Sequence, residues 1–179
     1  KCFSSCLFVA RQYLSQVITM SIFQPTKAFA HCDVPCGIYD PISAQLSALS
    51  VVRFLDLILE LGEPAGCSIA EQSRLMRLVL QKESHATDVK TQVNIIWGDY
   101  FKSSHIERHP ELPSLAHLIM QSASSCKQTN SVEEGRSLLE LVNQFAELFW
   151  STKEVKTRRV IAPYQPSLPV VQPVLSLAD

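Results

Sequence analysis

The stretch SVEEGRSLLELVNQFAELFW, residues 131–150, gives the strongest indication of how this chain folds. Ser131 and the glutamate three residues later form a capping box, a pattern that begins helices. Apolar side chains then recur every three or four residues, as one face of a helix requires. The residues of this face are Leu138, Leu141, Val142, Phe145 and Phe149. The stretch is therefore predicted to be a helix that buries one side against other helices.

Three further amphipathic segments precede this helix. Asp40 and Pro41 are typical of a helix start, and Gly62 of a helix end. A second capping box at Ser68 begins a long helix that runs towards Tyr100. Pro110 introduces a short third helix. The apolar faces are Leu46, Leu49, Val52, Leu55 and Leu59; Leu75, Leu78, Val79, Val89, Val93 and Ile96; and Leu115, Leu118 and Ile119. Since no strand pattern competes, we expect an all-α fold, an up-down four-helix bundle over residues 41–156.

Length and charge exclude several classes of protein. The 179 residues suffice for one domain with a sizeable core. The net charge of −1 and a pI near 6.6 give no electrostatic basis for nucleic-acid binding. No segment is judged to approach the apolar length of a membrane span, so no membrane is expected.

Residues 1–30 have the composition of a targeting leader. They contain three basic residues, Lys1, Arg11 and Lys27, and no acidic residue, and they end in the small-residue sequence Ala28-Phe29-Ala30. We expect a processing peptidase to remove this segment. Its composition suits an organelle such as the plastid or thylakoid lumen, or an exported compartment, while a plain flexible extension of a cytoplasmic protein is the alternative.

Residues 31–40 read HCDVPCGIYD and carry a compact set of soft metal ligands. Cleavage before His31 would give that residue a free amine beside its imidazole. Cys32 offers a backbone amide and a thiolate, and Cys36 a second thiolate, which a turn at Pro35 brings near. Two nitrogens and two sulfurs in a plane favour Ni(II) or Cu(II) over tetrahedral zinc. We refer to residues 31–40 as the hook.

The C-terminal residues 157–179 differ in composition from the rest of the chain. Four prolines interrupt them, at positions 163, 166, 169 and 173, with little charge between. Such spacing disfavours helix and suits extended chain. A Pro-rich, disordered tail is therefore predicted, with a partner-binding motif as the less favoured alternative.

Three ordered motifs resemble the nickel superoxide dismutase family. The hook, from His31 to Tyr39, is similar to the family's N-terminal His-Cys-x-x-Pro-Cys-Gly-x-Tyr. The stretch WGDYFK at residues 97–102, followed by His105 and by Pro-Glu-Leu at 110–112, resembles a second family segment. LFWSTK at residues 148–153 resembles the end of the family's last helix.

This resemblance implies a function and an assembly. It implies disproportionation of superoxide by a nickel ion, one per subunit, that cycles between Ni(II) and Ni(III) in a homohexamer. The implied metal ligands are His31, Cys32 and Cys36. It also implies two tyrosines that screen the metal, two acids that tie the hook to the bundle, and a lysine that steers the anion. These are Tyr39 and Tyr100, Asp33 and Asp99, and Lys102.

Some positions depart from the family pattern. Ser47 and His85 stand where its best-known members carry a glutamate and an arginine that hold the axial imidazole. A Ser–His pair could still hydrogen-bond that imidazole. His105, His109 and His117 are interpreted as surface histidines, and Cys67 and Cys126 as buried or idle thiols.

Other interpretations of the cysteines remain open at this point. One is a structural zinc or copper site without turnover on a helical protein. Another is a thiol–disulfide redox pair formed by Cys32 and Cys36, although their spacing is not that of the common redox motif. A third is a helical interaction module whose cysteines are incidental.

Overall fold

A computed structural model describes residues 36–62 and 68–175 of the chain. The predicted leader, residues 1–30, and the first half of the hook, residues 31–35, lie outside the described residues, as does the loop 63–67.

The described residues are predominantly helical. The helices are α1 (Ile42–Glu60), α2 (Ile69–Ile95), α3 (Ser103–Arg108), α4 (Leu112–Gln128) and α5 (Val132–Thr152). A π-helical turn, Ile96–Tyr100, follows α2 directly. Two strands, β1 (Thr157–Ile161) and β2 (Pro169–Pro173), come after α5.

The long helices form the predicted four-helix bundle. α1 packs against α2 and α5, and α4 packs against the same two helices, so that each long helix has two neighbours. Val52, Leu55, Leu138, Phe145 and Phe149 are fully buried, and they join one continuous core. The all-α prediction is thus confirmed, with a small sheet added to it.

The helix starts follow the sequence signals closely. The Asp40 carboxylate accepts a hydrogen bond from the Ile42 N–H at 2.8 Å. At Ser68 the capping box is complete, because the Glu71 carboxylate also accepts from the Ser68 N–H at 2.8 Å. At Ser131 only half of the box forms, with the hydroxyl accepting from the Glu134 N–H at 3.3 Å. Local sequence thus sets all three starts.

Two details of the predicted helices are wrong. The third long helix, α4, is not short: its 17 residues begin at Leu112, with Pro113 inside the first turn, where proline is tolerated. Three leucines assigned to buried faces are also exposed. They are Leu46, Leu59 and Leu118.

The prediction of a disordered tail from residue 157 is contradicted by a β-hairpin. β1 and β2 pair antiparallel, with Val160 opposite Val170 and Arg159 opposite Val171. Val170 and Val171 are buried, and Val170 belongs to the bundle core. Proline suits this hairpin because it occupies the two ends of β2, where a missing N–H costs little.

A buried amide pair anchors the hairpin to the bundle. The Gln45 amide of α1 donates to the Asn143 side chain of α5 at 2.9 Å and to the Val171 carbonyl at 3.0 Å. The Asn143 amide donates to the Pro169 carbonyl at 2.9 Å, and its oxygen accepts from the Val171 N–H at 3.2 Å. Both amides are 1% exposed, so these hydrogen bonds replace water that the groups have lost.

Charged side chains fasten the same hairpin from outside. The Arg159 guanidinium donates to both carboxylate oxygens of Glu140, at 2.7 and 2.9 Å, and to Glu147 at 2.9 Å. The hydrogen bonds from Arg159 lower the pKa of Glu140. The hairpin is therefore part of the folded unit.

A buried lysine joins α2 to the end of α4. The Lys82 ammonium donates to the carbonyls of Lys127 and Thr129, at 3.3 and 2.6 Å, and to the Asn130 side chain at 3.0 Å. Its charge faces the carbonyl end of α4, where a cation is favourable. Burial lowers the pKa of Lys82.

The expectation that no segment approaches the apolar length of a membrane span is wrong for α1. By length and composition alone, its 19 residues could cross a bilayer. In the described fold, however, eight of them are buried against the bundle. A core helix of this kind passes the same test as a membrane helix.

Candidate metal centre

The described part of the hook leads directly into the bundle. Cys36 is exposed. Gly37 adopts φ +71°, a left-handed conformation that a side chain would strain, so the chain turns sharply after the cysteine. Tyr39 is half-buried, and Asp40 then caps α1. The second half of the hook is thus tied to a helix start.

The π turn places Tyr100 near this segment. It widens the end of α2, and the Phe101 N–H closes it by donating to the Ile96 carbonyl at 3.3 Å. Such turns are frequent at functional sites. The ring centroids of Tyr39 and Tyr100 lie 5.7 Å apart, with the planes tilted by 51°. The two tyrosines that the motifs singled out are therefore in contact.

Aromatic rings surround Tyr100. Its centroid lies 4.7 Å from that of Phe149 and 5.1 Å from that of Phe101. The imidazole of His105 stacks on it at 5.4 Å, nearly parallel at 16°. Because these neighbours come from α3, from α5 and from the residue that follows the π turn, three parts of the chain fix the ring.

Two residues at the end of α5 complete the surroundings of Tyr100. Its hydroxyl lies 2.7 Å from the Thr152 hydroxyl. The Lys153 ammonium stands over the Tyr100 ring, 4.9 Å from the centroid, where the electron-rich face attracts a cation. Sequence reasoning gave neither residue a role, although both lie in the LFWSTK motif. We call Phe101, His105, Phe149, Thr152 and Lys153 the Tyr100 cluster.

His105 is not the surface histidine that was expected. It is half-buried, and its Nδ1 accepts the Lys102 N–H at 3.2 Å, which leaves the ring proton of a neutral imidazole on Nε2. Its pKa is lowered, mainly by partial burial and further by the charges of Arg108, His109 and Lys102. His109 is also half-buried and contacts Ser151, at 3.2 Å.

Asp99 and Lys102 occupy the same bend. The Lys102 ammonium donates to the Asp99 main-chain carbonyl at 2.7 Å. Lys102 is exposed and Asp99 is half-buried. The bend therefore presents a positive charge close to Tyr100 in sequence.

Ser47 and His85 do not form a pair with each other. His85 stacks on Phe54 at 5.5 Å, and its Nδ1 lies 3.7 Å from the Asp88 carboxylate. Ser47 lies seven residues before Phe54 on α1, roughly 10 Å along the helix axis. Within the described ranges, no hydrogen bond links the two residues.

The remaining predicted ligands, His31 and Cys32, and the predicted acid Asp33 lie outside the described residues. Among residues 36–62 and 68–175, no group of three metal-ligating side chains comes together. Cys126 is no alternative, because its thiol is buried and burial raises its pKa to about 11. The predicted donor set remains that of the hook, with two thiolates, an amide and an amine, whose chemistry suits nickel or copper.

Comparison with known proteins connects these features to one family. Residues 26–153 match the family model described as nickel-containing superoxide dismutase. Superoxide dismutase [Ni] of Streptomyces seoulensis is 33% identical over 134 residues, which are 74% of this chain and 96% of that protein. The Streptomyces coelicolor protein of the same name is 33% identical over 125 residues, 70% of this chain and 89% of its own length.

Solved structures agree with the sequence matches. A native nickel superoxide dismutase structure superposes with a TM-score of 0.59 at 34% identity, covering 69% of this chain and 99% of that one. A Ni-containing superoxide dismutase in the oxidized ligation state gives 0.61 at 32% identity, with the same coverage. The hairpin lies beyond residue 153, where the family match ends.

Proposed function

The chain belongs to the nickel-containing superoxide dismutase family, and we propose that it becomes active when a processing peptidase removes residues 1–30 and frees the amine of His31. It is a superoxide dismutase, an oxidoreductase that uses nickel to convert superoxide to dioxygen and hydrogen peroxide. The position of the cleavage, the ligand set and the assembly are the proposed parts.

The proposed ligands are His31, Cys32 and Cys36, with one nickel in each subunit. The amine of His31, the amide nitrogen and thiolate of Cys32 and the thiolate of Cys36 would hold the ion. The His31 imidazole would be a further donor. Nickel bound there supplies the electron exchange with superoxide by moving between Ni(II) and Ni(III).

The single observation that carries this proposal is the contact between Tyr39 and Tyr100, 5.7 Å between centroids, at the end of the hook. We propose that the two phenols restrict access to the metal and hold small molecules beside it. Asp33 and Asp99 are proposed to tie the hook to the bundle. The contact supports this arrangement because Tyr39 is only three residues from Cys36.

Positive charge at the site is proposed to draw the anion in. Removal of residues 1–30 takes away three cations and no acid, which leaves a net-negative protein. Superoxide must therefore be attracted locally, and Lys102 is the proposed source. Lys153, above the Tyr100 ring, adds a second cation in the same region.

Assembly into a homohexamer is proposed from the family and from an exposed apolar surface. The N-terminal half of α2 has no fully buried residue before Lys82. Ile69, Met76 and Leu80 are exposed there, at 86%, 62% and 65%. Apolar side chains on one segment favour contact with another copy. Native mass spectrometry would test the hexamer.

The compartment follows from the leader in this proposal. We propose import into an organelle such as the plastid or thylakoid lumen, or export, with cleavage after Ala30. Fractionation of the source cells, with N-terminal sequencing of the protein in each fraction, tests both points. Protein that begins at His31 only in the cytoplasm would contradict the proposed targeting.

Two chains that differ by one residue test the metal site. One begins at His31, and the matched control keeps Ala30, which turns the ligand amine into an amide. We expect about one nickel per subunit and dismutase activity only in the first chain. Equal nickel content and equal activity in both chains would show that the free amine is not a ligand.

A further inference from the structure

The direction of one hydrogen bond in the Tyr100 cluster can be derived. The Thr152 hydroxyl lies 2.7 Å from the Tyr100 hydroxyl and donates its proton to the Phe149 carbonyl, also at 2.7 Å. A hydroxyl has one proton to give. Thr152 therefore accepts from Tyr100, and the phenolic proton points towards α5.

The end of α5 explains why Thr152 keeps this orientation. In a regular helix the Phe149 carbonyl would accept from the Lys153 N–H, four residues on. Here that N–H donates to the Trp150 carbonyl instead, at 3.0 Å. If Thr152 turned its proton towards Tyr100, the Phe149 carbonyl would lose this donor beside a fully buried side chain.

We infer that Thr152 is a positioning residue that commits the Tyr100 proton to α5 and leaves the phenol only as a hydrogen-bond acceptor towards the metal side. This inference rests on the proposed place of Tyr100 beside the hook. An acceptor can hold a molecule that carries a proton, such as water or hydrogen peroxide. It offers nothing to a bare anion.

The arrangement has a consequence for the reaction. The two protons that superoxide needs to become hydrogen peroxide do not come from Tyr100. Tyr100 instead discriminates among molecules at the site, favouring protonated product and water over unprotonated anions. Bare anions, superoxide among them, gain no hydrogen bond from Tyr100, so their attraction to the site rests on the cations Lys102 and Lys153.

Tyrosine Raman spectra test the hydrogen bond without any need for activity. The ratio of the two bands of the tyrosine doublet reports whether a phenol donates or accepts. The difference between wild type and Tyr100→Phe isolates the signal of Tyr100. We expect a strong donor in the wild type and in Thr152→Ser, and loss of the donor pattern in Thr152→Val, which keeps the shape but lacks the hydroxyl.

Azide binding to the nickel-loaded protein tests the consequence. Thr152→Val frees the phenolic proton, so azide should bind about fivefold more tightly than to wild type, the worth of roughly one hydrogen bond. Thr152→Ser should bind azide as wild type does. A donor pattern that persists in Thr152→Val, or equal azide affinity in all three proteins, would overturn the inference.

The two measurements separate this inference from the proposed place of Tyr100. A donor pattern that depends on Thr152 establishes the hydrogen bond even if the nickel protein is inactive, in which case the proposed hook fails. If Thr152→Val fails to fold, the wild-type and Thr152→Ser spectra still decide, because a Tyr100 that accepts in either would refute the derived direction.

Discussion

Replacement of Asn143 by alanine should detach the hairpin from the bundle. The side chain makes three hydrogen bonds, with the Gln45 amide, the Pro169 carbonyl and the Val171 N–H. All lie in a region that excludes water, and each buried group left without a partner costs about 1–3 kcal/mol. The three groups together would cost about 3–9 kcal/mol. Since the hairpin can move and admit water, we expect a loss of the free energy of unfolding at the lower end of this range, about 3–4 kcal/mol.

Urea unfolding, followed by tryptophan fluorescence at one fixed protein concentration, measures this loss. Trp97 and Trp150 both lie in the helical part, so the signal reports the bundle and not the hairpin. The matched control is Gln144→Ala, at the next residue, where the exposed amide reaches only Glu140. The control should change the stability by no more than about 0.5 kcal/mol.

The result that would refute this reasoning is specific. A loss below about 1 kcal/mol for Asn143→Ala would mean that the amide pair does not hold the hairpin, because a single typical hydrogen bond already contributes that much. Equal losses in the variant and in Gln144→Ala would have the same meaning. The hairpin would then contribute little to the stability of the bundle.

Three more predictions concern packing, pH and charge. Gly135→Ala should destabilise the protein by about 1–2 kcal/mol in the same urea assay despite the better helix propensity of alanine, because its Cβ would lie 2.7 Å from the Leu55 side chain. Glu140→Gln should be less stable than wild type at neutral pH but equal to it in acid, because Arg159 lowers the pKa of Glu140. The stabilisation by this ion pair is present above the usual pKa of a glutamate and disappears as the pH falls through the lowered pKa. Lys102→Met should slow the reaction with superoxide by up to about tenfold at low salt and weaken its dependence on ionic strength, as measured by pulse radiolysis.

Each of these changes has a control elsewhere in the chain. Gly98→Ala has nothing within 4 Å of the added carbon and should not destabilise the protein as Gly135→Ala does. Arg158→Gln changes the residue next to Arg159. The difference in melting temperature between acid and neutral pH should be the same in this variant as in wild type. Lys156→Met removes a charge outside the bend and should leave the rate at low salt unchanged. Equal effects in a variant and its control would contradict the corresponding explanation.

Local signals predicted the helices well because caps and apolar spacing act within a few residues. Asp40 and Ser68 begin helices as expected. The hairpin could not be found in this way, because the groups that hold it, Gln45 and Asn143, are 126 and 28 residues from Val171. The prolines at the ends of β2 resembled those of a disordered tail, and only the tertiary contacts distinguish the two.

The site shows a similar division. The motifs named Tyr39 and Tyr100, but no spacing along the chain indicated that their rings touch. Thr152 and Lys153 were missed because a threonine and a lysine at a helix end are ordinary residues there. Their roles depend on the ring packed against them, which the sequence places 52 residues away from Thr152.

Because of the hairpin, the end of the family match and the end of the folded core fall at different residues. The match to the family model ends at residue 153, and a shortened protein designed from it would stop there. The buried core continues beyond that residue, since Ala162 and Val170 belong to the same core as Phe145. A chain that ends at residue 153 would lack the hairpin and would therefore leave the side chains of Gln45 and Asn143 exposed to solvent. Truncation at residue 153 is therefore expected to destabilise the bundle, although the family match ends there.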